Sequence, residues 1–489
     1  MTVAESRPDT AGGPNIATEI PSRYVAPVEY ADLPEPLPMK KVLGPSVLLL
    51  AGAIGSGEYV LWPYITSQVG LALVWLVLVG VGTQYFLNME IERYTLATGE
   101  TAVTGFTRLW RPWGALFIVM TIVPWAWPGW ATGGTTTLSF AMGFSEGAVP
   151  YITIGVLLLI GAVLTVSPVV YQTVEKVQFF FVGLIVLFMI YAIVALLGFD
   201  GYAALGEGFV NVGEIPDAIG SIGAATLLGA IAFAGAGGSL NLVQSNWVRD
   251  KNLGMGARLP RIVSPITGEE MAAPTTGFFF RRDEANLRRW HGWWRVADRE
   301  QFFTFFVIGA IALLTFMTLT YVTVGTGATA ESFDFIRVQG ESLQASEGAW
   351  LGTTFWLIGT VVLYSTNLAV LDMVGRVTAD VLKTGPLANS TTWTESRLYF
   401  ATVWAEIVFG SVILLSGVTQ PLVLLVIASS LNGLVMFVYS CLLIQLNKRT
   451  LPREIGLRGG RLVAIGWAVL FYGFFSAILL WDQFSQLFG

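Results

Sequence analysis

The sequence predicts an all-α polytopic membrane protein with eleven transmembrane helices, on three observations. First, hydrophobic residues make up 54% of the 489 residues and charged residues only 12%, about half of the ~25% charge of an ordinary soluble chain. Second, eleven stretches reach the ~20 mostly apolar residues that cross the hydrocarbon of a bilayer. Third, with the N-terminus placed inside, 26 of the 27 Lys and Arg residues fall in the inner segments and only Arg337 falls outside, as the positive-inside rule requires. A wrong count of spans would scramble that asymmetry. This composition excludes a soluble enzyme, a nucleic-acid binder and a disulfide scaffold. Cys441 is the sole cysteine and His291 the sole histidine, so thiolate clusters, multi-histidine metal sites and Ser-His-Asp catalysis lack their parts. No cofactor is expected.

Residues 1–41 are polar and Pro-rich, without the basic start and apolar core of a signal peptide. They read as a disordered cytoplasmic tail ending at Met39-Lys40-Lys41. A first repeat, 42–198, holds spans 1 to 5 at roughly 43–66, 70–91, 113–142, 149–166 and 169–198. Span 6, roughly 217–245, lies in 199–245 and opens a second repeat. The inner segment 246–298 follows, then spans 7 to 10 (301–325, 348–371, 398–417 and 420–446) within 299–447, then span 11 (462–485) within 448–489. The outer loops carry Glu146, Asp200, Glu207, Glu214, Asp217, Glu331 and Asp334 instead of basic residues. A multi-pass protein of the cell (plasma or inner) membrane is expected. In 246–298, Leu287, Trp290 and Trp294 recur at helical spacing among arginines, which predicts an amphipathic helix lying on the inner leaflet.

Two spans are interrupted alike. Span 1 reads Gly55-Ser56-Gly57-Glu58, and span 6 reads Ala232-Phe233-Ala234-Gly235-Ala236-Gly237. Paired glycines weaken a helix. Glycine-interrupted spans at matching places in two halves point to the central site of a transporter built from inverted repeats. The numbering gives five spans per half, with span 11 appended. Glu58 sits at the first break, and an ionisable group at mid-membrane is costly enough that a functional role is the default. The site expected from residues alone is therefore Glu58 with Gly55, Ser56, Gly57, Ala232, Ala234, Gly235, Gly237 and Asn241. Asn367, Asn432 and Glu406 are possible accessories, and Glu58 is the one metal candidate. Polar residues such as Gln244 and Thr135 are more often contacts between helices than ligands. Glu90 and Glu92 beside Arg93 suggest a salt bridge. Tyr59, Trp62, Trp125 and Trp130 suit either an interfacial belt or a cation–π box.

Leu43-Gly44-Pro45 through Gly57-Glu58, Ser67-Gln68-Val69-Gly70 and Leu242-Val243-Gln244-Ser245 resemble the first and sixth helices of the Nramp (natural resistance-associated macrophage protein) family of divalent-metal transporters. The resemblance covers roughly 40–450. It implies the LeuT-type inverted-repeat fold of the amino-acid–polyamine–cation superfamily, five helices plus five with broken helices 1 and 6. The chain departs from the family at the site. The family's metal-binding Asp falls on Gly55 and its Asn on Glu58, while its Met and His fall on Ala232 and Ala234. Span 3 lacks acids. The donors left are all oxygen, which suits a hard cation.

The expected function is secondary-active transport of a cation, a hard divalent metal (Mg2+/Mn2+-like) first, by alternating access. The alternatives are a small, possibly cationic organic solute, or a non-transporting sensor signalling through 246–298. The expected partners are that cation or solute and the lipid bilayer.

Overall fold

Long apolar runs with few interior breakers dictate the architecture. In the computed structural model, which describes residues 15–216, 219–264, 276–327 and 333–488, ten helices are long and apolar enough to cross a membrane. They are α1 (Pro45–Val69), α2 (Val74–Thr98), α3 (Pro112–Met142), α4 (Glu146–Val166), α5 (Val170–Leu196), α7 (Glu284–Val324), α8 (Ala349–Thr384), α9 (Glu395–Leu415), α10 (Pro421–Thr450) and α11 (Gly460–Ser485). The eleventh is α6, which is split into α6a (Ala224–Ala232) and α6b (Gly238–Asp250). Neither half spans alone, so the expected eleven stand as ten spans and a split α6, and α3 is itself interrupted between Trp125 and Gly129. Asp217, Glu331 and 265–275, which entered the sequence reading, lie outside the described residues, as do 1–14.

Burial ranks the helices. The apolar window of α1 is 100% buried, those of α8 and α2 are 78% and 72% buried, and those of α4, α5 and α11 only 28%. α1 is the core, and α4, α5 and α11 form a lipid-facing rim. α1 packs on α7, α8 and α5; α6b packs on α2; α6a packs on α10.

The N-terminal segment departs from the expected disorder. Ala17, Ile20, Val28 and Leu33 are buried. β1 (Glu29–Tyr30) pairs in parallel with β2 (Phe278–Phe279). The apolar anchors are sparse, and backbone hydrogen bonding makes up the difference. Arg108, on the short helix Ala102–Leu109 between α2 and α3, donates to the carbonyls of Pro21 (2.7 Å) and Ala26 (2.8 Å) and pairs with Glu100 at 2.6 Å.

The amphipathic helix exists, but its tryptophan face packs inside the protein. It is the first part of α7, and Trp290 and Trp293 are 2% and 1% exposed. Trp293 Nε1 donates to Pro34 O at 2.8 Å, Trp290 stacks on Phe280, and Arg93 sits 3.9 Å from the Trp294 ring. The chain's own N-terminal segment supplies the apolar and carbonyl partners that a leaflet was expected to supply.

Burial alone lifts the Glu100 carboxyl, but the Arg108 charge and its hydrogen bonds, with the Gly277 N–H, outweigh it and hold the group below its usual value. Its contribution is present above the ordinary glutamate pKa of ~4.3 and is lost as pH falls through the lower folded value. Arg108→Met leaves Glu100 buried and unpaired, a cost of about 3–5 kcal/mol. Limited proteolysis is expected to cut 15–38 in that variant at neutral pH, and in the wild type only below the usual glutamate range. An uncut variant contradicts the role of the Arg108–Glu100 pair in holding the N-terminal segment.

Candidate functional site

The two interrupted helices meet, but only one is broken. α1 was expected to unwind at Gly55-Ser56-Gly57. It instead runs on as a widened π-type helix over Ile54–Leu61. The cause is a side chain inserted in the backbone ladder, a recognised origin of such bulges. Thr366 of α8 donates to Ala51 O (3.2 Å) and accepts from Gly55 N (3.1 Å), so its hydroxyl stands where the direct bond between them would form. Ser365 Oγ lies 3.4 Å from Ala51 O and gives its hydrogen to Gln178 Oε1 of α5.

The glycines serve close approach, not unwinding. A Cβ on Gly57 would lie 1.5 Å from Phe233 O, and one on Gly55 would lie 2.3 Å from Thr366 Oγ1. α1 thus touches the α6 break backbone to backbone.

α6 does break, at Phe233–Gly237, where Gly235 (φ 128°) and Gly237 (φ 77°) take conformations that side-chain-bearing residues rarely adopt. Such a break frees carbonyls and N–H groups that must be satisfied inside a membrane protein. Gln84 of α2 does most of this. Its Nε2 donates to Ala232 O (2.8 Å) and Ala234 O (3.1 Å), and its Oε1 accepts from Gly237 N (3.0 Å) and Asn241 Nδ2 (3.2 Å). Asn432 of α10 accepts from Ser239 N (3.4 Å) and from Trp125 Nε1 (2.8 Å). The carbonyls of Ala232 and Ala234 thus each accept one hydrogen bond from Gln84 and keep one lone pair.

Glu58 lies in the widened turn, fully buried, and neither carboxylate oxygen has a hydrogen-bond partner in the protein. Tyr59 OH and Trp62 Nε1, one residue and one turn further along α1, are also buried without partners. Ser56 Oγ accepts from Trp130 Nε1 at 3.0 Å. Trp130 stacks on Trp125 (5.0 Å), and Phe233 packs against both at 6.2 and 5.4 Å. Aromatic rings thus wall the break on the α3 side.

Of the expected residues, Ser56 bonds to Trp130, and Gly55 and Gly57 abut Thr366 and Phe233. Gln84 ties Ala232, Ala234, Gly237 and Asn241 together around the break, with Gly235 against it. Asn432 joins through Trp125 and Ser239, and Glu58 only through its place in the widened turn. Asn367 follows the α1-contacting pair Ser365–Thr366 on α8, and its amide nitrogen has no partner. Glu406 is elsewhere: it lines a lateral cavity of about 400 Å³ with Ile122, Trp127, Thr402 and Phe409, between α3, α8 and α9. Among the described residues no group of three or more His, Cys, Asp or Glu gathers to hold a metal, so Glu58 stands alone as the acidic donor.

Gln84 was missed. Its signal was visible: Gln84, Asn88 and Glu92 recur every four residues along the second span, one polar stripe on one helix face. The expected Glu90–Arg93 bridge forms at 2.6 Å. Glu92 does not join it and bonds to Gln244 at 3.1 Å.

No protein-family model and no curated protein sequence matches the chain. Solved structures do match. A manganese transporter of Eremococcus coleocola, crystallised as a single-residue variant, is similar over 92% of this chain and 88% of its own, with TM-score 0.63 and 11% identity. A nucleobase-cation-symport-1 family transporter, in a closed conformation with bromovinylhydantoin bound, gives TM-score 0.54 at 12% identity over 90% of this chain and 93% of its own. MhsT in complex with L-phenylalanine gives TM-score 0.50 at 13% identity, covering 88% and 98%. At such identities the likeness speaks of fold and not of cargo. The chain has the LeuT-type fold, the all-α architecture that it shares with a manganese transporter, with a nucleobase-cation-symport-1 family transporter and with a protein crystallised with L-phenylalanine.

Proposed function

We propose that the protein is a secondary-active transporter, not an enzyme, and that it moves a cation past Glu58 by alternating access. The observation that carries this is the carboxylate itself. It is fully buried, has no protein partner and lies in the helix that touches the α6 break. A buried carboxylate without a partner is costly unless something positive joins it. The surrounding donors are hydroxyls, amides and carbonyls, which favours a hard divalent ion of the Mg2+ or Mn2+ kind. The soft donors expected for the family that the sequence resembles are absent here. The protein sits in the cell membrane with its N-terminus and the Lys- and Arg-bearing loops in the cytoplasm.

The second reading is a small organic cation. The Trp125–Trp130–Phe233 stack beside the break favours it, because such faces attract organic cations. The sensor reading loses its motive, because the described part of 246–298 packs on the chain's own N-terminal segment.

Proteoliposomes test the proposal. Wild type is expected to admit Mg2+ or Mn2+ down a gradient, and Glu58→Gln to lower the rate by at least about tenfold, the equivalent of ~1.4 kcal/mol. Uptake of organic amines with no metal flux favours the second reading. Metal flux unchanged by Glu58→Gln contradicts the assignment of the site.

A further inference from the structure

The polar stripe of α2 continues below the break into a buried chain of hydrogen bonds that no part of the transport reading uses. Asn88 Oδ1 accepts from Asn241 Nδ2 at 2.5 Å. One turn on, Gln244 Nε2 donates to Glu92 Oε2 (3.1 Å) and to Gln301 Oε1 (3.0 Å). Ser46 Oγ is in hydrogen-bond contact with both Gln301 Oε1 and Glu300 Oε2, and Glu300 Oε1 accepts from Gly44 N (3.4 Å) and Ser46 N (3.3 Å). The sequence of contacts is Glu92, Gln244, Gln301, Ser46, Glu300, crossing α2, α6b, α7 and the first turn of α1. Each member is at most 2% exposed. Gln244 Oε1 and Gln301 Nε2, on the same two amides, are buried without partners.

Counting hydrogens shows that this chain is one proton short if both acids are ionised. A serine hydroxyl donates once, yet Ser46 Oγ faces two acceptors. With the amides as placed, Ser46 serves Gln301, and Glu300 needs a hydrogen of its own to meet Ser46. Amide orientation is assigned from the network rather than observed, so the alternative counts too. Turning both amides over makes Gln301 donate to Ser46 and to Gln244, and lets Ser46 donate to an ionised Glu300. Gln244 then presents its oxygen to Glu92, which needs the hydrogen. Turning only one amide sets two N–H groups or two carbonyls face to face. Every consistent arrangement carries one extra proton, at one end of the chain or the other.

Nearby charges do not replace it. Lys251 pairs with Glu175, to which Tyr171 also donates; Arg93 pairs with Glu90; Arg461 pairs with Asp298, to which Tyr85 donates. Among the described residues, neither Glu92 nor Glu300 forms an ion pair.

We propose that Glu92 and Glu300 share a single bound proton through Gln244, Gln301 and Ser46, and that this proton ties the first turn of α1 to α2, α6b and α7. Its loss leaves two buried carboxylates and an acceptor facing an acceptor, and so releases the start of α1. The proposal goes beyond the transport reading and stands without it.

Infrared difference spectroscopy of the purified full chain in nanodiscs tests it, by the C=O stretch of a protonated carboxylic acid at neutral pH. Glutamine imitates a protonated glutamate, so either Glu92→Gln or Glu300→Gln replaces the shared proton. Each single variant is expected to remove the whole of one carboxylic-acid band, and the double variant to remove no more. Bands that halve in each single variant, so that two acids are protonated independently, overturn the proposal. So does a neutral-pH spectrum equal in wild type and double variant. A measurement without these variants guards against misfolding: in the Glu58→Gln/Glu406→Gln background one such band is expected at neutral pH and is expected to bleach on raising pH. Its absence overturns the proposal.

Discussion

Gln84→Leu is expected to lower the stability of the protein by about 3–6 kcal/mol, at roughly 1–2 kcal/mol for each buried backbone group left without a partner. Three groups lose theirs: Ala232 O, Ala234 O and Gly237 N, all at the break in α6. Leucine is close to glutamine in size, so a cavity does not explain the loss. Gln84→Glu separates the parts of the role. Held as the neutral acid, since an ionised carboxylate against two carbonyls is too costly, glutamate still accepts from Gly237 N and donates to one of the two carbonyls, and intermediate damage is expected. Thermal denaturation in detergent, read by loss of a monodisperse peak, checks the order wild type, Glu, Leu. A Leu variant that melts with wild type contradicts the view that this side chain seals the break.

Arg376→Met is expected to cost about 3–5 kcal/mol, as removal of one partner from a buried ion network does. Arg376 and its partners Asp372 and Asp250 have fully buried side chains. The guanidinium joins α8 to α6b: its Nε donates to Asp372 Oδ2 at 2.7 Å and its Nη1 to Asp250. Trp247 Nε1 and Tyr399 OH each donate to Asp372 at 2.8 Å, and Arg249 extends the network to Asp380 (2.9 Å) and Glu395 (2.5 Å). Methionine leaves Asp372 and Asp250 facing each other without their shared cation. A single cysteine placed in this region is expected to react faster with a water-soluble thiol reagent in the variant than in an otherwise identical wild type, with Cys441 replaced in both. Equal labelling and equal melting contradict the assignment of Arg376 as the tie between α6b and α8.

Much of the fold was legible in the sequence, because bilayer thickness and charge asymmetry are strong, local signals. The splitting of α6 was legible too, since Gly235 and Gly237 take backbone conformations that their sequence spacing suggested. The same spacing misled at Gly55 and Gly57. There the glycines admit Phe233 O and Thr366, and sequence alone does not separate a glycine that bends a helix from one that lets another helix near. The seal of the break was hidden for a related reason: Gln84 lies about 150 residues from the groups it satisfies, a pairing that only the tertiary fold creates. Residues 15–41, within the tail read as disordered, looked so because their few apolar anchors are spaced irregularly. What orders them is Arg108 bonding to their backbone, and backbone carbonyls leave no mark in a sequence. Glu58 was found because a lone acid in an apolar span is conspicuous wherever the helix runs.

Ligand-dependent melting of wild type beside Glu58→Gln tests the role of that carboxylate most directly. A ligand bound to the native state at about 100 times its Kd stabilises it by ~2.7 kcal/mol. Mg2+ or Mn2+ is expected to raise the melting temperature of wild type in a concentration-dependent way and to leave Glu58→Gln unmoved. An equal rise in both proteins, or none in wild type with any divalent metal, contradicts Glu58 as the seat of a bound metal ion.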